Sequence, residues 1–393
     1  MEKLRRVANE IAYAQSYAKL SAVHRSLIPL LSFASSIYSV VLSFRYYLYH
    51  LGLFSKQRLP VPVISIGNLT WGGNGKTPMV EYMARCLADS GVRPLILTRG
   101  YAGGDEAKML ERHLLGQGGP TKLGVGANRA ATAYSFFKKH GYTDPRGKTC
   151  SGITCLSQDA VTSLGEEISA VILDDGMQHW SLYRDLEIVM VNGLRPWGNL
   201  KLLPLGPLRE PLVALRRVDV AVVHHADLVL ERNLKDIELM IREFKESVPI
   251  FYTRMAPTHF FDVRNIKLKV PLKDVYNAII LCVSAIGSSD AFVLGMQKTG
   301  ACYIDQLDFS DHHIFQVKDI EMIMNRLREL EYKFGVKPIV VLTEKDYDRD
   351  PEILKHLHPF RVLILCSQLQ IVSHQGFNEE SFKLLLKKLF GVQ

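Results

Sequence analysis

Apolar and polar positions alternate along this chain in a way that places its main elements. Val61-Pro62-Val63-Ile64-Ser65-Ile66 is nearly unbroken in apolar character and reads as a buried strand, and Met79 to Asp89 has helical composition. A second apolar run, Ser169 to Leu173, ends in Asp174-Asp175-Gly176. Further strands are expected at Ala278 to Val283 and Pro338 to Leu342, and the chain turns irregular near Phe251 to Ile266. Strands alternating with helices imply α/β architecture, and 393 residues with 47% hydrophobic content suit two domains. The expected divisions are an N-terminal helical segment at 1–58, an α/β domain at 59–250, an irregular linker at 251–277 and a C-terminal α/β domain at 278–393.

The first segment has a different pattern. From Ser26 to Phe44 run 19 residues without a charge, about the length of a helix that crosses a hydrocarbon core. Pro29 and several serines dilute it, while Tyr38, Tyr46, Tyr47 and Tyr49 resemble aromatic residues at a membrane surface. A helix lying in one leaflet fits better than a spanning one.

Charge sharpens that picture. In residues 1–58, Lys3, Arg5, Arg6, Lys19, Arg25, Arg45, Lys56 and Arg58 face only Glu2 and Glu10, so six of the chain's net charges of +8 lie there. Cations beside an apolar segment point to anionic lipid headgroups rather than to nucleic acid, whose binders carry the excess on one folded face. Cys86, Cys150, Cys155, Cys282, Cys302 and Cys366 form no CxxC pair and no zinc spacing. Reduced thiols fit cytosol, mitochondrial matrix or plastid stroma.

The first strand enters Gly67-Asn68-Leu69-Thr70-Trp71-Gly72-Gly73-Asn74-Gly75-Lys76-Thr77-Pro78. Strand, glycine-rich turn ending in Gly-Lys-Thr, then helix is the context of a phosphate-binding loop. Backbone amides of Thr70 to Thr77 can converge on a polyphosphate, as in ATP, helped by the positive end of the following helix. Lys76 would reach the β- and γ-phosphates and Thr77 would hold Mg²⁺. The usual pattern asks for glycine where this chain has Thr70; Gly72 and Gly73 stand in for it. Carboxylates at the carboxyl end of a neighbouring strand face the ligand crevice, so Asp174 or Asp175 can orient the ion.

These residues, with several further stretches, resemble one family, the tetraacyldisaccharide 4′-kinases. The likeness rests on Gly67-Asn68-Leu69 through Thr77-Pro78, Leu97 to Tyr101, Gly104-Asp105-Glu106, and Leu173 to His179. Arg184 to Val189, Leu203-Pro204, Gly206 to Pro211, Asp311-His312-His313 and Thr343-Glu344-Lys345-Asp346 continue it in order. Its flavour is closest to plant members. The resemblance implies two α/β/α sandwich domains joined by a hairpin, the first a P-loop fold, with a membrane-associated N-terminal helix along which an acidic glycolipid approaches. It also implies a dyad of Asp105 and His312 that activates the attacking 4′-hydroxyl, and MgATP bound with the help of Asp174, Asp175 and Glu210. A sugar hydroxyl is a poor nucleophile and gains from a carboxylate that accepts its proton, with His312 holding that carboxylate or sharing the proton. The spacer between Tyr101 and Gly104 is shorter than in bacterial members, and Ala107 replaces the usual proline. Residues 140–165 read as a solvated loop without a role. The plant-like features lean towards a mitochondrial membrane, with a plastid or a bacterial inner membrane as alternatives.

The competing reading is a P-loop GTPase or metal-delivery switch at a membrane. Its guanine-reading Asn-Lys-x-Asp is missing, since Thr343-Glu344-Lys345-Asp346 sets lysine and aspartate side by side. A nucleotide-gated scaffold without catalysis would have no use for Asp105.

Overall fold

The computed structural model describes residues 2–14, 16–100, 104–115, 119–147 and 167–391, with the backbone alone for 2–6. The side chains of Lys3, Arg5 and Arg6, the spacer from Tyr101, Cys150, Cys155 and most of the 140–165 loop lie outside this description. The chain forms two compact units. Unit 1 comprises 1–99, 110–253 and 371–393; unit 2 comprises 100–109 and 254–370.

Unit 1 opens with helices α1 (Glu2–Ala12) and α2 (Ala22–His50). Next come β1 (Val63–Gly67), α3 (Lys76–Asp89) and β2 (Pro94–Thr98). After α4 (Asp105–Leu110), most of which falls in unit 2, unit 1 resumes with β3 (Lys122–Val125), α5 (Arg129–His140), β4 (Ala170–Asp174) and β5 (Leu186–Asn192). It continues through β6 (Val220–His224) and α6 (Glu231–Phe244). The start of β7 (Ile250–Asp262) closes the parallel sheet, whose order is β7-β6-β5-β1-β4-β2-β3. Every residue of β1, β4 and β5 is buried, which is why β1 and β4 read as nearly continuous apolar runs.

Placing β1 at the centre puts its carboxyl end, where the chain enters the glycine loop, beside that of β4. Ile66 pairs in register with Asp174, so the paired aspartates leave the sheet next to the loop. Helix α3 lies on this sheet through Met79, Val80, Met83, Ala84 and Leu87, at the i, i+3, i+4 spacing of one face.

In unit 2, β8 (Asn265–Val270) pairs antiparallel with β7, the hairpin expected near Phe251 to Ile266. Then follow β9 (Ile279–Ser284), α7 (Ser289–Gln297), β10 (Tyr303–Asp308), α8 (Val317–Phe334), β11 (Ile339–Thr343), α9 (Glu344–Arg349), α10 (Pro351–Leu354) and β12 (Arg361–Val372). The sheet order is β10-β9-β11-β12-β7-β8, parallel from β10 to β12. Its two faces carry separate cores, one around Leu281, Ile323 and Leu342, the other around Ile280, Met296 and Val341.

The final helix, α11 (Glu379–Phe390), belongs to unit 1. Phe382 is fully buried there, its ring against Tyr82 of α3 and Phe251 of β7. Full burial of one such ring contributes about 1.5–3 kcal/mol, enough to hold the chain end on the nucleotide-loop helix. Sequence division at 278 had grouped this segment with the C-terminal domain, because its amphipathic pattern does not say which surface receives it.

Helix α2 extends beyond the uncharged run at both ends, capped by the Ser21 side chain, with Pro29 inside it. It is long and apolar enough to cross a membrane by length and composition, with 6% of its apolar window buried. One face is tied to unit 1: Ser35 donates to the Leu202 carbonyl at 2.8 Å, Tyr38 to the Arg209 carbonyl at 2.9 Å, and Arg45 to the Gln178 carbonyl at 3.0 Å. The other face exposes Leu30, Phe33, Ile37, Val40, Val41 and Phe44 at helical spacing.

Candidate active site

The first cluster lies in unit 1. Gly72, Gly73 and Gly75 have φ of 62°, 48° and 75°, a conformation that side chains resist, so the loop needs its glycines at these positions. Thr70 needs no such freedom. It is 2% exposed, and its hydroxyl donates to Asn74 Oδ1 at 3.2 Å. Asn74 in turn donates to the Gly72 carbonyl at 2.5 Å, and the Trp71 amide donates to the Pro207 carbonyl at 3.1 Å. The departure from the usual pattern is thereby absorbed by a side-chain hydrogen bond inside the loop.

Helix α3 begins at Lys76, earlier than the composition suggested, so Lys76 and the buried Thr77 occupy the first turn at its positive end. Lys76 Nζ stands 3.6 Å from Asp175 Oδ1. Asp175, with φ of 52°, also receives Arg209 Nη1 on both oxygens, at 2.7 and 2.8 Å. Burial alone would raise its carboxyl, but Lys76 and Arg209 outweigh burial and hold it well below the usual carboxylate range. Asp174 is 2% exposed and accepts the Thr98 hydroxyl at 3.2 Å. Glu210 accepts Arg217 at 2.7 Å and Gln178 at 2.9 Å, and Gln178 donates as well to the Asn68 carbonyl at the loop's entrance.

The turn after Asp175 is fixed from below. Arg184 donates to the carbonyls of Gly176 and His179 and pairs with Glu187, which accepts Ser65 of β1 at 2.7 Å. Burial and the charges of Arg129, Arg184, Arg99 and Arg45 push His179 down to about 4, a mark of a cation-rich corner. The Asp144-Pro145-Arg146-Gly147 turn is no free loop: Arg146 pairs with Asp144 and Asp185, and Asp185 accepts the Val63 amide at the start of β1.

The donor set suits a nucleotide polyphosphate: amides at a helix start, three backbone-permissive glycines, one lysine and one hydroxyl. Among the described residues no group of three or more His, Cys, Asp or Glu could hold a metal alone. Mg²⁺ keeps waters and phosphate oxygens and takes one or two carboxylates, and the Thr77 hydroxyl with the Asp174 and Asp175 carboxylates suits such a donor set.

The second cluster lies in unit 2. Asp105, the first residue of α4, is 1% exposed, and its Oδ2 accepts His312 Nδ1 at 3.1 Å. Sequence reasoning paired these two across 207 positions, and the structure brings them together. Arg349 also donates to Oδ2, from Nη2 at 2.8 Å. Lys345 Nζ reaches Glu106 at 3.1 Å and Asp311 at 3.9 Å. Burial would raise Asp105, but His312, Lys345 and Arg349 together hold it well below the usual range. Lys345 is raised despite burial, by Glu106, Asp311 and Asp105.

Residues that sequence reasoning missed are Arg209, Asn192, His224 and Arg349. Arg209 had a signal, adjacency to Glu210 in a matched stretch. Asn192 ends β5 and donates to the Gly73 carbonyl at 2.8 Å; His224 ends β6 and packs on Gly75. Their signal was position alone, the carboxyl ends of strands next to β1. Arg349 follows Asp346 by three positions, which on a helix aligns them, but nothing local ties it to Asp105.

Comparisons with known proteins agree in one direction. Residues 27–387 match the model of the family described as tetraacyldisaccharide-1-P 4′-kinase. A protein of Arabidopsis thaliana named probable tetraacyldisaccharide 4′-kinase, mitochondrial, is 58% identical over 100% of this chain and 99% of its own. The tetraacyldisaccharide 4′-kinase of Syntrophus aciditrophicus is 33% identical over 81% of this chain and 83% of its own. Among solved structures, LpxK of Aquifex aeolicus, described as in complex with ATP, superposes with a TM-score of 0.58 at 24% identity, covering 93% of this chain and 98% of that one, which shows the fold. With a glycine loop, paired aspartates and an Asp-His pair in the matched region, the chain belongs to the tetraacyldisaccharide-1-P 4′-kinase family.

Proposed function

We propose that this chain transfers the γ-phosphate of ATP to the 4′-hydroxyl of a tetraacyldisaccharide 1-phosphate, at a membrane surface. The observation that carries the reading is the glycine loop leading into Lys76 and Thr77, with Asp174 in register on the adjacent strand. The amides from Thr70 to Thr77 cradle the polyphosphate, and Lys76 bears on its transferring end. Thr77, Asp174 and Asp175 would hold Mg²⁺, with Glu210 held nearby on the Gln178 bridge to Asn68. The ion neutralises phosphate charge when bound. Asp105 and His312 take up the proton of the attacking hydroxyl. The arginines around His179 suit an anionic acceptor.

Helix α2 supports the membrane part. Its inner face is hydrogen-bonded to unit 1 while its outer stripe of Leu30, Phe33, Ile37, Val40 and Phe44 is exposed, the layout of a helix lying in one leaflet. The name of the Arabidopsis relative supports a mitochondrial location.

The test is direct. Purified protein with ATP, Mg²⁺ and a tetraacyldisaccharide 1-phosphate should yield a lipid carrying one added phosphate by mass spectrometry. Nucleotide hydrolysis indifferent to the acceptor, with no lipid product, would favour a GTPase-like switch instead.

A further inference from the structure

The carbonyls that follow Asp175 are each held by an arginine. Arg184 Nη2 donates to Gly176 at 2.8 Å and to His179 at 2.5 Å, Arg217 Nη2 to Met177 at 3.1 Å, and Arg45 Nη2 to Gln178 at 3.0 Å. The turn's own backbone adds a bond from the His179 amide to the Gly176 carbonyl at 2.8 Å. Side chains thus satisfy carbonyls that belong to no strand or helix ladder.

Two of these arginines come from the sheet side of unit 1: Arg184 pairs with the buried Glu187, and Arg217 with the buried Glu210, each at 2.7 Å. Arg45 comes from α2, 133 positions from Gln178. Its guanidinium lies over the Trp180 ring at 4.8 Å, and Tyr46 and Tyr49 meet the same ring edge-on at 6.1 and 5.7 Å. A cation serving lipid headgroups would reach outward, whereas this one is stacked and bonded inward. Ser35, Tyr38 and Arg45 share one face of α2, at i, i+3 and i+10, apart from the exposed stripe.

What this face holds is the frame of the nucleotide site. Gln178 Nε2 donates to the Asn68 carbonyl at 3.0 Å and to Glu210 Oε1 at 2.9 Å, so the residue under Arg45 joins the entrance of the glycine loop to Glu210. Two turns earlier on α2, about 10 Å along the axis, Tyr38 donates to the carbonyl of Arg209, whose guanidinium grips both oxygens of Asp175. Helix α2 therefore holds the backbone on both sides of the Asp175–Arg209 pair.

We propose that Arg45 is a positioning residue for phosphoryl transfer: from α2 it fixes the 176–179 turn, and through that turn the direction of Asp175 and the place of Glu210. The membrane helix is then part of the scaffold of the nucleotide site as well as its anchor. This deepens the kinase reading and rests on it. Arg45 acts through a backbone carbonyl, and its charge, which the sequence groups with the lipid-facing cations, is spent inside unit 1.

Hydrogen–deuterium exchange of the ligand-free full chain in detergent reads the turn without any turnover. Arg45→Gln should speed exchange at the 176–181 amides by about tenfold or more, while β5 and β6 keep wild-type rates. Arg45→Lys, which keeps the charge and loses the planar fork, should lie in between. With ATP, Mg²⁺ and a soluble, short-chain disaccharide acceptor, Arg45→Gln should lose roughly 10–100-fold in turnover, the usual cost of removing a group that orients a ligating carboxylate. Part of that loss should return at higher Mg²⁺. Wild-type exchange at 176–181 with wild-type turnover of the soluble acceptor, the defect being confined to vesicle-embedded acceptor, overturns the proposal and leaves Arg45 a headgroup cation. Exchange that rises as much in β5 and β6 as at the turn also overturns it, because Arg45 would then serve general packing. Wild-type protein that phosphorylates no disaccharide removes the kinase reading and the role in transfer with it, whereas active wild type with an Arg45→Gln turn that exchanges normally removes this inference alone.

Discussion

Gly75 lies against the ring of His224 so closely that a Cβ at position 75 would stand 2.4 Å from His224 Cδ2. The same glycine has φ of 75°, so Gly75→Ala meets a steric and a conformational penalty together. Left-handed backbone costs a non-glycine residue about 1–2 kcal/mol, and the buried ring cannot retreat while its Nδ1 is bonded to Thr253 at 2.9 Å. Gly75→Ala should therefore weaken ATP binding by tenfold or more while the melting temperature falls by only a few degrees. Gly75→Ala with His224→Ala should recover the steric share and leave the conformational one. Equal ATP affinity for Gly75→Ala and wild type, by calorimetry, would show that the loop tolerates a shift there.

Lys76 and Arg209 compete for one carboxylate, and that competition makes the mutations of this site separable. Lys76→Ala removes the cation proposed to bear on the transferring phosphate and should lower kcat by orders of magnitude at saturating ATP. Activity within about tenfold of wild type would sink its assigned role. Asp175→Asn should act on the metal instead: turnover falls, and raising Mg²⁺ recovers part of it, a response that Lys76→Ala should lack. Arg209→Ala, which frees Asp175 of its bidentate partner, should shift the Mg²⁺ dependence towards lower concentration.

Much of this was legible in the sequence because it is local. The strand, glycine turn and helix follow one another within 30 residues, and Asp174-Asp175-Gly176 reveals itself by ending an apolar run. Boundaries moved by one or two residues, and α3 began earlier because Lys76 and Thr77, polar for chemical reasons, still take helical backbone. Long-range partners were illegible. Arg349 lies 244 positions from Asp105, and no periodicity links them. The reception of α11 by unit 1 was hidden for the same reason, since an apolar stripe specifies burial without specifying the partner.

Two adjacent histidines make stability depend on pH. Burial, with a small push from its neighbour, lowers His224 well below 6.5, and burial against the opposing pull of Asp227 brings His225 down to about 4. Below 6.5 the unfolded chain takes up protons that the folded chain refuses. Each histidine therefore costs stability as pH falls from 6.5, until the folded value is reached. At pH 5 the cost for His225 alone is about 2 kcal/mol. Buried Asp346 and Glu187, raised in the fold by burial, oppose this trend nearer pH 4. The melting temperature should thus drop between pH 7 and pH 5, and His225→Asn, which tolerates φ of 61°, should flatten the drop. Identical melting at both pH values would contradict the argument.

The outward stripe of α2 gives the sharpest test of the membrane proposal, because the two faces of this helix can be altered independently. Phe33 is 67% exposed and Val40 is 68% exposed, so replacing either by Asp removes nothing from the packing of unit 1. Each buried apolar side chain of this size is worth about 1.5–3 kcal/mol against the acyl boundary, and a charge there adds a desolvation cost. Phe33→Asp with Val40→Asp should release the protein from anionic vesicles in co-sedimentation, with the melting temperature nearly unchanged. Turnover of a soluble, short-chain acceptor should persist, whereas turnover of vesicle-embedded acceptor should fall, because the defect lies in access. The opposite face behaves otherwise. Ser35→Ala and Tyr38→Phe break hydrogen bonds to the Leu202 and Arg209 carbonyls, so they should loosen the loop that carries Arg209 and Glu210 and lower turnover of both acceptors. Vesicle binding that survives the paired aspartates would place the anchor elsewhere, in the cationic flanks rather than the stripe, and raising salt would then release the protein.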